Sequence, residues 1–387
     1  MNLDQHAGGR VRPEVAEAVA RLLGADLANP SSAHAAGRRA RDLVEEARDR
    51  VAALVGARPA EVVFTSGGTE ANNLAIGGVA GADFVSTAIE HASVLRALEA
   101  VRESGARVEL VPVAADGRVD PERIASHLRL GTSLVSVGWA NGEIGTIQPV
   151  AEIVRAVRER APLAHIHSDA VQAAATQPLD FASSGLDSLS LSGHKLGALP
   201  GVGALVVRTG VSLRPLLRGG PHERGRRAGT ENVFGIASFG VAAGLALDER
   251  DAFRERAAAL RERLWQALRV ACTPVVRFGR DDGVPTTLAV AFSGTRGDAL
   301  VVALDLAGIA CSTGSACAAG GSEPSHVLRA IGVEPGLAGA ALRLSFGREA
   351  DEPGIDRAIG RVAEVVGRAR AQAAPLRGHA GSDSHAA

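Results

Sequence analysis

The sequence predicts an α/β protein, with a mostly parallel sheet in a large domain covered by helices and a smaller α+β domain after it. Three observations carry this reading. Short apolar runs alternate with helical stretches between about residues 61 and 207, the order that builds a parallel sheet with helical crossovers. Polar, chemistry-bearing residues stand directly after several of these runs, where such sheets place their ligands. Past residue 249 the pattern changes to charged helices, isolated strands and a loop of small residues. The expected division is 14–249 for the large domain, and 1–13 with 250–373 for the small one. The small domain carries a mobile loop at 311–322, and 374–387, rich in Gly, Ser, His and Ala, is expected to be a disordered tail.

Taken in order, residues 14–56 read as helices separated by a turn at Asn29-Pro-Ser-Ser-Ala-His34, where His34 is expected to bond locally. Glu61-Val-Val-Phe64 reads as a strand, and Thr65-Ser-Gly-Gly-Thr69 opens a helix. Such a start either is simply capped or offers its free amides to an anion. Strands follow near 83–87, 108–113, 134–139, 163–168, 187–191 and 203–207, with helices near 92–104, 121–129 and 149–160. The apolar run Phe234–Leu247 reads as a buried helix, too short and too rich in Gly and Ala to span a bilayer, and charged helices follow around 249–269. A strand at 286–293, a helix at 298–307, another helix beginning at Glu323-Pro-Ser325 and a strand at 341–346 complete the chain.

Composition narrows the function. A net charge of -1 over 387 residues gives no electrostatic reason to expect nucleic acid or an anionic membrane as partner. The three cysteines form no CxxC, and the first residues lack a basic segment followed by an apolar one, so a reduced, cytoplasmic protein acting on a small molecule is expected. No metal site is expected either.

Ser190-Leu-Ser-Gly-His-Lys195 places one lysine at the end of a buried strand. An ammonium there pairs, loses its proton, or condenses with a carbonyl, and the last is the chemistry of pyridoxal phosphate. Asp169 stands 26 residues earlier at another strand end, as an aspartate facing a pyridinium nitrogen does. His91 lies at a strand-to-helix junction and is either a cap or a ligand-facing group. Arg343, alternating with apolar residues in Ala341-Leu-Arg-Leu-Ser-Phe346, is either a structural ion pair or a clamp for a carboxylate. Cys311 reads as core. Cys317, amid small polar residues, reads as exposed, and is a reactive thiol or an incidental one.

The blocks Thr65-Ser-Gly-Gly-Thr-Glu-Ala-Asn-Asn73, Glu90-His-x-x-Val94, Glu143-Ile-Gly145, Asp169-Ala-x-Gln172, Ser192-Gly-His-Lys195, Glu223-Arg-Gly-Arg-Arg-x-Gly-Thr-Glu-Asn232 and Gly314-Ser-Ala-Cys317 occur in this order. Together they closely resemble the cysteine desulfurases of the NifS/IscS type, pyridoxal-phosphate enzymes of fold type I within the class-V aminotransferases, whose fold is like that of aspartate aminotransferase. The resemblance runs through nearly the whole chain and implies a homodimer that converts L-cysteine to L-alanine. Lys195 would bond the cofactor, Asp169 would face its ring nitrogen, Gln172 its phenolic oxygen, and His91 would stack on the ring and move protons. Gly68, Thr69, Ser192, Gly193 and His194 would line the phosphate site, joined by Thr230 from the other subunit. Arg343 would hold the substrate carboxylate, and Cys317 would take the sulfur as a persulfide. An iron–sulfur scaffold protein or a tRNA-thiolation enzyme would then accept it. A selenocysteine lyase, another cysteine-processing enzyme on the same scaffold, or a weakly active relative serving as a binding partner are the alternative readings. The chain departs from the family at Ala7-Gly8-Gly9, after Lys195, and at Gly142, where the family has an asparagine facing the cofactor. The missing amide implies slower turnover, with Gln172 holding the oxygen alone.

Overall fold

The computed structural model describes residues 1–314 and 325–373, so Cys317, most of the 311–322 loop and the 374–387 tail lie outside the described residues. Two helices open the chain. The first, α1 (Pro13–Leu23), has proline at its start, where a missing N–H costs nothing. In the second, α2 (Ala35–Leu54), His34 is the N-cap and accepts from Gly37 N at 3.4 Å, the local role expected of it.

Seven strands follow: β1 (Val62–Thr65), β2 (Asp83–Thr87), β3 (Arg107–Val111), β4 (Leu134–Ser136), β5 (His165–Asp169), β6 (Ser188–Ser192) and β7 (Gly203–Val207). Their crossovers are α3 (Gly68–Gly77), α4 (Ala92–Glu103), α5 (Pro121–His127), α6 (Val150–Arg160) and the short α7 (Phe181–Ser184). The strand order is β1-β7-β6-β5-β4-β2-β3, and β7 alone runs against its neighbours, so the sheet is mostly parallel as expected. Every residue of β4, β5 and β6 is buried, because a parallel sheet is covered on both faces. With β1 parallel to β6, the carboxyl ends of β1, β2, β4, β5 and β6 open on one edge.

One helix, α8 (Val233–Ala271), runs unbroken for 39 residues, about 58 Å at 1.5 Å per residue. The sequence reading has two helices there, because the composition switches from apolar to charged at Asp248-Glu-Arg-Asp251. The switch instead marks where the helix leaves one core and reaches another. Its first half packs on α2, so closely that a Cβ at Gly240 would stand 2.5 Å from Ala47 Cα. Its second half, through Phe253, Leu260, Leu264 and Leu268, joins a separate core with Leu288, Val290, Leu342 and Leu344.

That second core lies under a three-stranded antiparallel sheet of β8 (Val275–Phe278), β9 (Thr287–Phe292) and β10 (Ala341–Ser345), in the order β10-β9-β8. The helices α9 (Gly297–Leu306), α10 (His326–Ala330), α11 (Pro335–Ala338) and α12 (Glu352–Ala373) accompany it. Ser325 caps α10 by accepting from Val327 N and Leu328 N at 3.1 and 3.3 Å. The edge strand β8 and helix α12 are absent from the sequence reading. The first residues also pair here. Leu3 N donates to Ala310 O at 2.8 Å, and Ser345 N donates to Leu3 O at 2.7 Å. Among the described residues no helix is long and apolar enough to cross a membrane.

Candidate active site

The open edge of the large sheet and the β10 side of the small one enclose a cavity of about 640 Å³. Nine of the residues singled out in the sequence line it: Gly68, Thr69, His91, Asp169, Gln172, Ser192, His194, Lys195 and Arg343. Gly193 lies beneath the lining, where a Cβ would meet Val202, Ala198 and Phe239 at 2.9 to 3.2 Å. Thr230 is exposed and does not line this cavity. Cys317 lies outside the described residues.

Asp169 ends β5 and is 9 % exposed. Its Oδ2 accepts from Asn72 Nδ2 at 2.7 Å and its Oδ1 from Val171 N at 2.9 Å. Beside it Glu90 is buried, held by the Thr87 hydroxyl at 2.5 Å and Gly138 N at 2.9 Å. Burial, with the Asp169 charge adding to it, pushes the Glu90 carboxyl up to about 7.

Lys195 follows β6 on a single 3-10 turn, and its Nζ donates to the backbone oxygen of His6. It is the one lysine among 42 lysines and arginines in the whole chain. Everywhere else a cation is needed the chain uses arginine, whose guanidinium does not condense with an aldehyde as an amine does. The neighbouring His194 bonds Ser192 Oγ at 2.9 Å, and burial, with the Lys195 charge, lowers it to about 4, so it is neutral at pH 7.

His91 caps α4. Its Nδ1 accepts from Ser93 N at 3.1 Å and stands 2.7 Å from Ser93 Oγ. Arg343 is 4 % exposed and bonds Asp4 Oδ1 at 2.8 Å, Gly314 O at 3.2 Å and Gly142 O at 3.3 Å, while its Nε has no partner among the described residues. Both sequence readings of this arginine therefore have a basis: it is ion-paired with Asp4, and it lines the cavity.

Gly142 is absent from the positive-φ glycines, so its backbone tolerates a side chain. The space is tight: a Cβ there would stand 3.0 Å from Gln172 Cγ and 3.1 Å from Gln172 Nε2, so Gln172 would have to shift by a few tenths of an ångström to admit an asparagine. Asn141 is spent on the turn, accepting from Glu143 N and Ile144 N at 2.9 and 3.0 Å.

The loop from Gly219 to Asn232 is not simply solvated. Glu223 and Arg224 both have positive φ, and Glu223 is locked by Arg48 at 2.9 and 3.0 Å and by Phe64 N at 2.9 Å. Arg227 pairs with Glu70 at 3.0 Å. The remaining described cysteines are core: Cys272 and Cys311 are buried, and burial pushes the Cys311 thiol up to about 12. Cys311 is thus core, as read from sequence.

Among the lining residues that sequence reasoning does not single out are His6, Asn72, Glu90 and Ser93. His6 bonds Gly142 O and Thr286 Oγ1, both at 3.1 Å, and burial, with the nearby Arg343 charge, lowers it to about 3. Its partners lie 136 and 280 residues away, so no local pattern marks it. Asn72, Glu90 and Ser93 each stand inside a recognised block, and that position is the available signal.

The donor set fits pyridoxal phosphate. One amine could condense with an aldehyde, one carboxylate held by two fixed donors could pair with a protonated ring nitrogen, and an imidazole and an amide remain for the ring. Hydroxyls and the first turn of α3 suit a phosphate. Among the described residues no group of three His, Cys, Asp or Glu is placed to hold a metal.

Residues 1–358 match the family model described as aminotransferase class-V. The IscS-like cysteine desulfurase of Mycobacterium tuberculosis is 42 % identical over 385 residues, covering 95 % of this chain and 96 % of that one. A solved NifS-like protein superposes with a TM-score of 0.89 at 32 % identity, covering 95 % of this chain and 99 % of the other. SspA in complex with cysteine superposes at 0.78 and 31 % identity, covering 89 % and 98 %.

Proposed function

The chain belongs to the class-V aminotransferase family, and on that premise we propose a cysteine desulfurase in which Lys195 bonds pyridoxal phosphate and Cys317 receives the sulfur of L-cysteine. The observation that carries the reading is that the chain's one lysine stands in the same cavity as Asp169, His91, Gln172 and Arg343.

Pyridoxal phosphate, when bound, supplies an electron sink for bonds at the substrate's α carbon. The protein supplies the rest. Lys195 Nζ holds the group covalently, and the Asp169 carboxylate keeps a proton on its ring nitrogen. Gln172 holds the phenolic oxygen. Gly68, Thr69, Ser192, Gly193 and His194 form the phosphate cradle. His91, which lines the cavity, would lie against the ring and move protons. Arg343, which lines the cavity, would orient the substrate carboxylate, a charge-assisted contact worth about 1.5–3 kcal/mol.

The Cys317 thiolate attacks the substrate sulfur, forming the S–S bond as the C–S bond breaks. L-Cysteine plus a thiol gives L-alanine plus a persulfide, which balances atoms and electrons. The outer sulfur then passes to an acceptor protein, an iron–sulfur scaffold or a thiolation enzyme. Thr230, exposed and outside its own cavity, completes the phosphate cradle of a second copy in a homodimer.

Cys317→Ala tests the assignment. The variant is expected to bind cofactor and change colour with L-cysteine while releasing no alanine, and near-normal alanine release would remove Cys317 from the reaction. Mixing Lys195→Ala with Thr230→Ala chains tests sharing: one site of the mixed dimer carries both defects and the other neither, so activity is expected to return, and none returning contradicts sharing.

A further inference from the structure

Asn72 is 1 % exposed and has no part in the roles given above. Its Nδ2 stands 2.7 Å from Asp169 Oδ2 and 2.8 Å from Ser93 Oγ. A carboxylate only accepts, so the amide nitrogen and not its oxygen must face Asp169, and its two hydrogens divide between the two partners. The cost is visible: Asn72 Oδ1 is buried with no partner among the described residues. The amide is oriented for its two donors at the expense of its acceptor.

Ser93 Oγ, accepting from Asn72, stands 2.7 Å from His91 Nδ1, to which Ser93 N also donates at 3.1 Å. Nδ1 is therefore an acceptor, the hydroxyl proton points at it, and the ring's hydrogen sits on Nε2. Capping of α4 accounts for the backbone bond alone. It does not account for a buried amide that reaches from α3 to the strand end of β5 and to the hydroxyl beside the histidine.

We propose that Asn72 and Ser93 are positioning residues that link Asp169 to His91 through the chain Asp169 Oδ2, Asn72 Nδ2, Ser93 Oγ, His91 Nδ1. The link fixes His91 as the Nε2–H tautomer and sets the Asp169 carboxylate in one orientation. It rests on the roles given above to Asp169 and His91. Through it, a change at the Asp169 carboxylate reaches the His91 imidazole by way of protein groups alone.

The test needs no turnover, so it stands apart from the desulfurase reading. In purified protein labelled with nitrogen-15 at histidine, the His91 resonances are assigned by their loss in His91→Gln. The expected result is an unprotonated Nδ1 and a protonated Nε2. Asn72→Ala, which does not touch the ring, and Ser93→Ala are each expected to move the Nδ1 resonance, while Ser93→Thr restores it. A protonated Nδ1 in the unaltered protein, or an Nδ1 resonance unmoved by both alanine variants, overturns the proposal. A second readout separates positioning from mere support of the fold: Ser93→Ala is expected to slow alanine formation about tenfold, and less than twofold when His91 is already glutamine. An equal loss in both backgrounds contradicts the link.

Discussion

In the large sheet β5 reads His-Ile-His-Ser-Asp and β6 reads Ser-Leu-Ser-Leu-Ser, whereas in the small sheet β9 reads Thr-Leu-Ala-Val-Ala-Phe, and all three are buried throughout. The large sheet carries a polar row through its interior. Ser136 Oγ bonds His167 at 2.9 Å, His167 bonds Ser190 Oγ at 2.9 Å, and His165 bonds Ser188 Oγ at 2.7 Å. Each partner is satisfied laterally, so the row costs little while it stays intact. It ends at Asp169 and Ser192, where the cavity begins. The small sheet's β9 and β10 bury a single charged side chain, Arg343, which also faces the cavity. On the proposed function, the first sheet would hold the cofactor and the second would offer one group to the substrate.

The strongest way to break this contrast is at the two cavity ends. Asp169→Ala is expected to weaken cofactor binding and to slow alanine formation at least about a hundredfold, from loss of a charge-assisted bond near 3 kcal/mol. Arg343→Ala is expected instead to raise KM for L-cysteine by about tenfold or more while cofactor stays bound. Titration with cofactor and steady-state kinetics on both variants decide the matter. If Arg343→Ala releases cofactor as readily as Asp169→Ala, the division between the sheets fails.

Acid sharpens the comparison. Burial lowers His6 and His167 to about 3 and His165 to about 4, so each contributes stability that is complete above pH 6.5 and lost as pH falls toward those values. Glu90, raised to about 7, acts in the opposite sense: its contribution is complete below pH 4.5 and lost as pH rises toward 7. Near pH 5.5 the histidines outnumber it. With His194, also lowered to about 4, the unfolded chain then binds about three more protons, a slope of about 4 kcal/mol per pH unit. Denaturant unfolding between pH 7 and 5 is expected to show falling stability, and hydrogen exchange to show β5 and β6 losing protection before β9 and β10. Stability that is flat or rising on acidification contradicts this.

The smallest expected effect lies at Gly142. The missing amide implies, from sequence, that restoring asparagine speeds the reaction. Gln172 crowds that space, so Gly142→Asn is instead expected to slow alanine formation by about two- to fivefold through crowding, a cost below about 1 kcal/mol. In a Gln172→Ala chain, itself slowed by loss of its bond to the cofactor, Gly142→Asn is expected to cause no further loss, because the crowding is gone. A faster Gly142→Asn single variant would return the matter to the sequence-based expectation.

The strand and helix alternation was legible because each crossover carries its own period and turn residues, and eight of the nine cavity residues read from sequence, all but Arg343, stand at a strand end or within four residues past one. What escaped reading depends on distance. His6 owes its burial to Gly142 and Thr286, and the link through Asn72 joins residues 97 apart. The strand β8 is a short edge whose residues are only partly buried, so it lacks the apolar run that marks the others. The continuity of α8 was hidden because a helix that crosses between two cores changes composition halfway, and a change of composition resembles a boundary.

The central claim is that the chain's one lysine holds the cofactor. Borohydride reduction of the purified, pyridoxal-phosphate-loaded protein, followed by peptide mapping, tests it directly. The expected result is one reduced cofactor per chain, on the peptide containing Lys195, and none in Lys195→Ala. With no second lysine in the sequence, the amino terminus at Met1 is the only other primary amine the chain offers. Absence of incorporation, or a label on Met1 with Lys195 unmodified, contradicts the account.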